Sequence, residues 1–543
     1  MTRSRPWEKY YGDVPANLNY SDVSMYEMLS RTATKYPDIP AYGFMGSTVS
    51  FKTMMGQIDG LAATLASHGV KKNDNVIICL PNCPQALLLI YAVNRCGAIS
   101  NMIYPLSSKN DIAKSLKDSG CKFAVSIDSA MSAFIEMSET DLETLVYVSF
   151  KESPEQKEID GLKIINMNDL RPNGEIPPMP EMSGKDAALV MHSGGTSGRS
   201  KGILLSNMNV NASALQAWAM FDDVEEGNCS TLTVMPLFHG FGLVGNLHTI
   251  IIHGGCCHMI PRFDPSVFAE SIRTLKPNVI MGVPTLYEYL LAYRLLNGAD
   301  LSFVTAVVSG GDTLTPTLRT RVEKMFLENG ADIVMRDGYG LTECVMLTCI
   351  TPRNNYKEGY IGIPCPDMFF KIVKVGTEEE LPSDEAGQIC ISGPTVMQSF
   401  QTEKEEIHDT IKIHSDGMKW LHTGDLGVMS DDGFVAYRGR IDRMIVTSGY
   451  NVYPNQVEDV LNSHPAVEIS CVIGIPDDIK KFILKAFVVL KNGKELTDSL
   501  YEEIRKYCQD NLPRYSIPKV MKSLKSMPRT KIGKISYKDL ESM

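Results

Sequence analysis

The segment Met191-His-Ser-Gly-Gly-Thr-Ser-Gly-Arg-Ser-Lys-Gly202 gathers the residue types that hold phosphate. Gly194, Gly195 and Gly198 let backbone N–H groups converge without side-chain obstruction. The hydroxyls of Ser193, Thr196 and Ser197 add donors, and Lys201 supplies a mobile ammonium for phosphate oxygens. A strand pattern, Ala187 to Met191, precedes the segment and a helix pattern, Asn207 to Met220, follows it. Ordinary surface loops seldom combine these features between a buried strand and a helix. The common P-loop of nucleoside triphosphatases ends in Gly-Lys-Ser/Thr. Here the order is Ser200-Lys201-Gly202, so the hydroxyl that would meet magnesium is missing and a different nucleotide chemistry is indicated.

Further segments carry chemistry of the same kind. Asp337-Gly-Tyr-Gly-Leu-Thr-Glu343 sets an aromatic ring between glycines and ends in a hydroxyl and a carboxylate. Ser309-Gly-Gly-Asp312 is a second glycine pair. Leu421-His-Thr-Gly-Asp425, taken alone, reads as a turn. Tyr437-Arg-Gly-Arg-Ile-Asp442 reads as a charged linker, a composition that hinges also use. Pro528-Arg-Thr-Lys-Ile-Gly-Lys534 alone is an ordinary basic tail, and Leu237-Phe-His-Gly-Phe-Gly242 is apolar and glycine-rich.

In this order and over essentially the whole chain, these segments resemble the motifs of the adenylate-forming superfamily: acyl- and aryl-CoA synthetases, peptide-synthetase adenylation domains and firefly luciferases. The resemblance implies that Ser193 to Gly198 and Lys201 cradle the phosphates of ATP. It implies that Gly310, Gly311 and Asp312 lie along one side of the adenine. Asp337 then faces the adenine amino edge, Gly338 and Gly340 flank Tyr339 as it stacks on the ring, Thr342 contacts phosphate and Glu343 holds Mg2+. Many relatives carry a small residue in place of Asp312. Asp425 and Arg440 are implied to reach the ribose, Asp442 to be the hinge residue, and Lys534 to bridge the substrate carboxylate and the α-phosphate. Lys531 is the neighbouring lysine, told apart by Gly533 immediately before Lys534. Thr196, Lys201, Glu343 and Lys534 form the implied catalytic set. His239, Phe241, Gly242 and Gly338 belong to the implied acyl pocket, and Ser448, Gly449 and Tyr450 to a channel for the pantetheine of coenzyme A. Peptide-synthetase domains usually place an Asp at the position of His239, so an α-amino acid is disfavoured. Some relatives carry a lysine where this chain has Val446.

The implied chemistry has two halves: a carboxylate attacks ATP to give acyl-AMP and pyrophosphate, then a thiol takes the acyl group. An acyl-CoA synthetase is the leading expectation. A stand-alone ligase that loads a carrier protein shares the motifs, as does a luciferase-type oxygenase, and a non-catalytic nucleotide-binding regulator is the contrasting class. The intact set Thr196, Lys201, Glu343, Asp425, Arg440 and Lys534 disfavours the regulator.

These residues need elements to hold them. Apolar residues Met54, Ile58, Leu61, Ala62 and Leu65 recur at helical spacing, with Gly69 as a stop. Val76 to Leu80 reads as a buried strand, and Pro84 opens the next helix. Strands are predicted at Phe123 to Ile127, Leu145 to Val148, Val279 to Val283, Phe303 to Val308 and Ile333 to Met335. Such alternation predicts α/β layers with largely parallel sheets. After Ile361 strand patterns joined by turns predict a small β subdomain, and from Asn455 the order helix, strand, strand, helix predicts a compact α+β domain. The expected fold is therefore a large N-terminal α/β domain with a small β subdomain (1–438), a hinge (439–443) and an α+β C-terminal domain (444–543). Lys151 to Met182 is polar and proline-rich, which suggests a surface excursion.

Composition sets the outer limits. A formal net charge of −11 over 543 residues disfavours generic binding to nucleic acid or anionic membrane. No run reaches transmembrane length, and the N-terminus lacks the apolar core of a signal peptide. The 13 cysteines show no paired framework, so a reduced, cytoplasmic setting is expected. His253-Gly-Gly-Cys-Cys-His258 could suggest a metal cluster, but its apolar flanks favour a structural strand. Cys344 is read as packing. The expected partners are a carboxylic acid, ATP and CoA, while a carrier protein and a second copy of the chain stay open.

Overall fold

The computed structural model describes residues 5–136, 140–149, 157–159, 161–170, 176–193, 201–221, 224–402, 407–447, 450–477, 481–529 and 535–543. The chain forms two compact units. The first comprises Met1–Phe369, Ile391–Leu421 and Asp432–Phe434; the second comprises Phe370–Cys390, His422–Asp431 and Val435–Met543.

Local signals account for the helices of the first unit. Ser24 and Glu27 form a reciprocal capping box at the start of Met25–Lys35. Ser50 caps Phe51–Ser67 by accepting from the Thr53 N–H. That helix buries Met54, Ile58 and Leu65, a stripe worth about 1.5–3 kcal/mol per large side chain. Gly69, at φ 87°, lets the chain turn away after the helix, as the sequence predicts. Pro84 occupies the first turn of Pro84–Arg95, where its missing N–H costs nothing.

Two nine-stranded sheets order the first unit. One runs Ser399–Phe400, Gly202–Ser206, Ala187–His192, Ile99–Met102, Asn75–Cys79, Phe123–Ile127, Thr144–Val148, Leu162–Asn166, Lys157–Ile159. Its middle is parallel and its edges antiparallel. The other runs Ile363–Pro364, Leu347–Ile350, Met335–Gly340, Ala306–Gly310, Val279–Gly282, Ser230–Thr233, Cys256–Met259, Pro40–Phe44, Ser47–Ser50. It is parallel from Met335–Gly340 through to Pro40–Phe44.

Four sequence expectations shift. The strand expected at Phe303 to Val308 is Ala306–Gly310, and the one expected at Ile333 to Met335 is Met335–Gly340. In both cases glycines that suggest loop are held extended by a neighbouring parallel strand. A strand, Gly202–Ser206, stands between the expected phosphate loop and the helix Asn207–Ala219. Part of the expected surface excursion, Lys157–Ile159 and Leu162–Asn166, forms a hairpin at a sheet edge.

The second unit holds the greater part of a small sheet and the C-terminal module. Strands Phe369–Val373, Gly387–Ser392 and Lys419–Met429 are neighbours in that order, and Val435–Arg440 pairs antiparallel with the last. Toward the C-terminus, the long hairpin Val467–Asp477/Lys481–Leu490 takes Val520–Ser523 as its third strand. Side chains alternate across this sheet. Val472, Leu484, Ala486 and Val488 face one core with the helices Pro454–Ser463 and Asp498–Asn511. Cys471, Ile473, Phe487 and Val489 face a smaller core with Leu540 of the helix Tyr537–Glu541.

Candidate active site

Four adjacent parallel strands of the second sheet carry expected motifs at their carboxyl ends. Met335–Gly340 leads into Leu341 to Glu343, and Ala306–Gly310 into Gly311 and Asp312. Val279–Gly282 leads into Val283 to Leu286, and Ser230–Thr233 into Leu237 to Gly242. Across the first pair, Ser309 is the register partner of Asp337, and Gly310 of Gly338. The two motifs expected to enclose the adenine are thus direct neighbours. In open α/β sheets, ligands bind outside the carboxyl ends of the strands.

Asp337 anchors this edge through its backbone: its N–H donates to Thr351 Oγ1 at 3.2 Å, and Thr351 N–H donates to the Asp337 carbonyl at 2.9 Å. Burial pushes its carboxyl up to about 8, against the opposing pull of the Arg319 guanidinium. Tyr339 is partly exposed, with its carbonyl accepting from Thr348 Oγ1 at 3.2 Å. Asp312 is exposed, and its carboxylate accepts from Thr313 N–H. A β-carbon on Gly340 would lie 1.4 Å from the Met346 carbonyl oxygen, so no other residue fits there.

Thr342–Cys344 form a short 3-10 turn. Behind it the chain doubles back: Met346 N–H donates to the Cys344 carbonyl at 2.7 Å across Val345, whose φ is 67° and ψ −64°. This positive-φ γ-turn on a β-branched residue stores strain of about 1–3 kcal/mol. Cys344 is fully buried, and burial raises its thiol well above the ordinary range, as packing rather than nucleophilic chemistry requires.

The Leu237 to Gly242 segment opens a π-helix, Phe241–His248, which the sequence pattern did not reveal. The π form is rare and concentrates at functional sites. The space beside its glycines is filled. A β-carbon on Gly240 would meet the Val345 oxygen at 1.8 Å, and one on Gly242 the Pro236 oxygen at 2.1 Å. These two glycines therefore serve tight packing and leave no room for a bulky acid. The ring of Phe241 approaches both Gly245 and Gly310, so the expected acyl wall and the expected adenine wall touch.

Several supporting residues escaped sequence reasoning because their only signal is a polar residue in an apolar run. Asn82 donates to the Thr233 and Met235 carbonyls and accepts from Leu237 N–H, all within 3.0 Å, which pins the start of the motif. Tyr104 packs against Phe238 with ring centroids 4.8 Å apart. His248, inside the π-helix, accepts from Tyr91 Oη at 2.8 Å and donates to Asn211 Oδ1 at 2.9 Å, the tautomer being assigned from these partners. Burial lowers its pKa to about 3, so it is a neutral bridge.

Ser193 and Lys201 bracket the expected phosphate loop. Ser193 N–H donates to the Lys201 carbonyl at 3.1 Å, and the Lys201 ammonium lies 5.0 Å from the centre of the Phe400 ring. His192, before Ser193, bonds Asn101 Oδ1 at 2.8 Å, and burial lowers its pKa to about 4. Gly194, Gly195, Thr196, Ser197 and Gly198 lie outside the described residues, as do Ser448, Gly449 and Lys534. Tyr450 starts the strand Tyr450–Val452.

In the second unit, Asp425 and Arg440 are register partners on antiparallel strands and form an ion pair of 2.9 Å. Asp425 is buried, and its N–H donates to Thr423 Oγ1 at 3.0 Å. Gly424, at φ 73°, lets the Arg440 guanidinium lie alongside. Asp442 follows in the turn Ile441–Arg443, 4.0 Å from Arg440 Nε.

His253–His258 is not a metal cluster: Cys256–Met259 is a strand with alternating burial, and His253 stacks flat on Trp218 at 4.1 Å. Among the described residues no group of three potential metal ligands occurs, and no helix is long and apolar enough to cross a membrane.

Comparison with known proteins matches this arrangement to a family. Residues 29–400 match the AMP-binding enzyme model, and residues 456–534 match the AMP-binding enzyme C-terminal domain. The chain belongs to the family of AMP-binding, adenylate-forming enzymes. It is 31% identical to a long-chain-fatty-acid–CoA ligase of Bacillus subtilis, covering 98% of this chain and 97% of that protein. It is 29% identical to a long-chain-fatty-acid–CoA ligase of Salmonella typhimurium, with the same coverage. Its fold matches that of an anthranilate CoA ligase solved with anthranoyl-AMP, at a TM-score of 0.83 and 23% identity over 98% of each chain.

Proposed function

We infer that this AMP-binding enzyme is an acid–thiol ligase that converts a carboxylic acid to acyl-AMP with release of pyrophosphate and then to acyl-CoA with release of AMP. We propose a long-chain fatty acid as the acid, a reading supported by the full-length likeness to ligases named for that substrate. The observation that carries the activity is the convergence of four strand ends, which sets the Asp337 to Glu343 and Ser309 to Asp312 segments beside the Phe241 wall.

The residue roles follow from the chemistry. A carboxylate and ATP repel each other, so positioning and electrostatic stabilisation must carry the first step. Tyr339, Asp337 and the Gly310–Gly311 backbone are proposed to hold adenine, and the Asp425–Arg440 pair to hold the ribose. Lys201 and Lys534 are proposed to neutralise the phosphates, and the Thr196 hydroxyl to donate to them. At about 4 Å and an effective dielectric near 20, each cation–anion contact is worth roughly 4 kcal/mol before desolvation. Magnesium fits the hard carboxylate oxygens of Glu343, with Thr342 beside it for phosphate, and with one protein carboxylate it would share its ligands with the phosphates and water. When bound it supplies charge neutralisation at the phosphates. The proposed boundary falls at 438, with Asp442 as the hinge and Ser448 to Tyr450 lining the pantetheine channel. CoA rather than a carrier protein is the proposed acceptor, in the cytoplasm.

A panel of acids of increasing chain length, assayed for pyrophosphate release and for AMP release with and without CoA, tests the function. The expected outcome is CoA-dependent AMP release that is greatest with long-chain acids. Best activity on aryl acids overturns the substrate, and release that ignores CoA overturns the acceptor. Lys534→Ala is expected to lower adenylate formation by about a hundred- to thousandfold while sparing thioester formation from supplied acyl-adenylate. Equal loss of both halves would count against that division.

A further inference from the structure

Arg443, the last residue of the Ile441–Arg443 turn, is a half-buried cation whose partners come from three separate elements. Its Nη2 lies 2.7 Å from Glu458 Oε1, and its Nη1 donates to Asn455 Oδ1 at 3.0 Å, both on the helix Pro454–Ser463. Nη2 also donates to the Val472 carbonyl, while Glu458 accepts from the Val472 N–H at 2.7 Å. Val467–Asp477 is the edge strand of its sheet, so this ion pair satisfies outward-facing backbone groups that would otherwise stand open. On its other side the guanidinium lies 3.5 Å from the centre of the Tyr537 ring. A planar guanidinium stacks flat on a ring while the N–H groups at its edge serve a carboxylate, an amide and a carbonyl together, and a lysine ammonium lacks that planar fork.

Tyr537 begins the last helix, directly after the Pro528 to Lys534 motif. The flanks of that motif are paired: Arg529 bridges Ile535 antiparallel, and Ser536 N–H donates to the Pro528 carbonyl at 2.8 Å. Tyr537 and Ile535 pack on the smaller core, on the sheet face opposite the helix that carries Glu458. Arg443 therefore reaches around the sheet edge and links the hinge turn to the flank of the lysine motif. The hairpin Ile445–Thr447/Tyr450–Val452, beside the proposed thiol channel, does not depend on this link, because Ile445 and Val452 are seated in the other core.

We propose that Arg443 is a positioning residue for adenylation: through Tyr537 it fixes the lysine-bearing end of the C-terminal module to the hinge turn, and it has little part in thioester formation. The proposal rests on the two-step activity inferred above. The experiment uses the full chain and measures each half-reaction for Arg443→Lys, Tyr537→Leu and Tyr537→Phe. One assay is acid-dependent exchange of pyrophosphate into ATP; the other is CoA thioester formation from supplied acyl-adenylate. Arg443→Lys and Tyr537→Leu are expected to lower exchange by up to about a hundredfold through misplacement of the motif, with thioester formation changed less than about threefold. Tyr537→Phe, which keeps the ring, is expected to retain exchange. Parallel loss of both halves, loss in Tyr537→Phe equal to that in Tyr537→Leu, or unchanged exchange in all variants overturns the positioning role alone. Should Arg443→Lys fail to fold, the two Tyr537 variants decide the question. A parent protein that forms no acyl-adenylate from any acid overturns the activity reading, and the proposal with it.

Discussion

Asp425 is buried beside a cation, and that placement sets the outcome of removing it. Asp425→Ala leaves the Arg440 guanidinium without its buried carboxylate and takes away the acceptor proposed for the ribose hydroxyls. The expected result is weaker ATP binding by about 2–3 kcal/mol, read as a rise in the KM for ATP of roughly thirty- to a hundred-and-fiftyfold. A KM within twofold of the parent would refute the ribose role. Asp337 gives a prediction of opposite electrostatic sense. Its carboxyl titrates at about 8 in the folded protein against an ordinary 3.8. Between these values the folded chain holds a proton that the unfolded chain has lost. The stability linked to this group is complete below the lower value and falls away as pH rises through the upper one. Asp337→Asn ends that titration, so its melting temperature is expected to gain on the parent steadily from about pH 5 to pH 8.5, and a constant difference would contradict it.

At the scale of elements, helices were legible where caps and stripes agreed, as in Phe51–Ser67 and Pro84–Arg95. Strands failed where their residues are also the chemistry. Met335–Gly340 contains Asp-Gly-Tyr-Gly, and Lys419–Met429 contains His-Thr-Gly-Asp. Both fragments carry turn residues, yet ladder hydrogen bonds from adjacent strands keep them in sheets, a tertiary effect that no local window contains. The motifs themselves were legible because glycine, hydroxyl and charge spacing is local. Asn82 and His248 were not, because their partners lie more than a hundred residues away or across two other helices. The π-helix and the Val345 turn yield the prediction at this scale. Gly240→Ala forces a methyl group against a backbone oxygen and is expected to cost about 1–3 kcal/mol or more, read as a lower denaturant midpoint. Gly46→Ala, with open space around it, serves as the control, although its positive φ adds a smaller cost. Equal midpoints for the two variants would disprove the close approach.

Across the whole molecule, none of the thirteen cysteines is in a disulfide, and only Cys256 is partly exposed. Burial raises the Cys256 thiol to about 12, which slows its reaction as well. A disulfide reagent at pH 8 is therefore expected to titrate fewer than about two thiols per native chain within minutes and all thirteen after denaturation. Rapid native reaction of many thiols would contradict the packing of both units. The division of the chain was legible only in outline. The change of pattern near Ile361 signals a new architecture, but membership of the two units alternates along the sequence between Phe369 and Val435. A linear reading has no means of seeing segments that leave one unit and return to it.

The backbone oxygens that crowd Gly240 and Gly242 bear on redesign for unfamiliar acids. Remodelling these two positions offers no extra volume, since there is no side chain to trim and no room to add one. With Phe241 as the proposed acyl wall, selection for altered acid preference should instead recover changes at Phe241 and Met346, whose removable atoms flank the π-helix at Gly245. A library that varies those two side chains while keeping the glycines is the shorter route to a new substrate range.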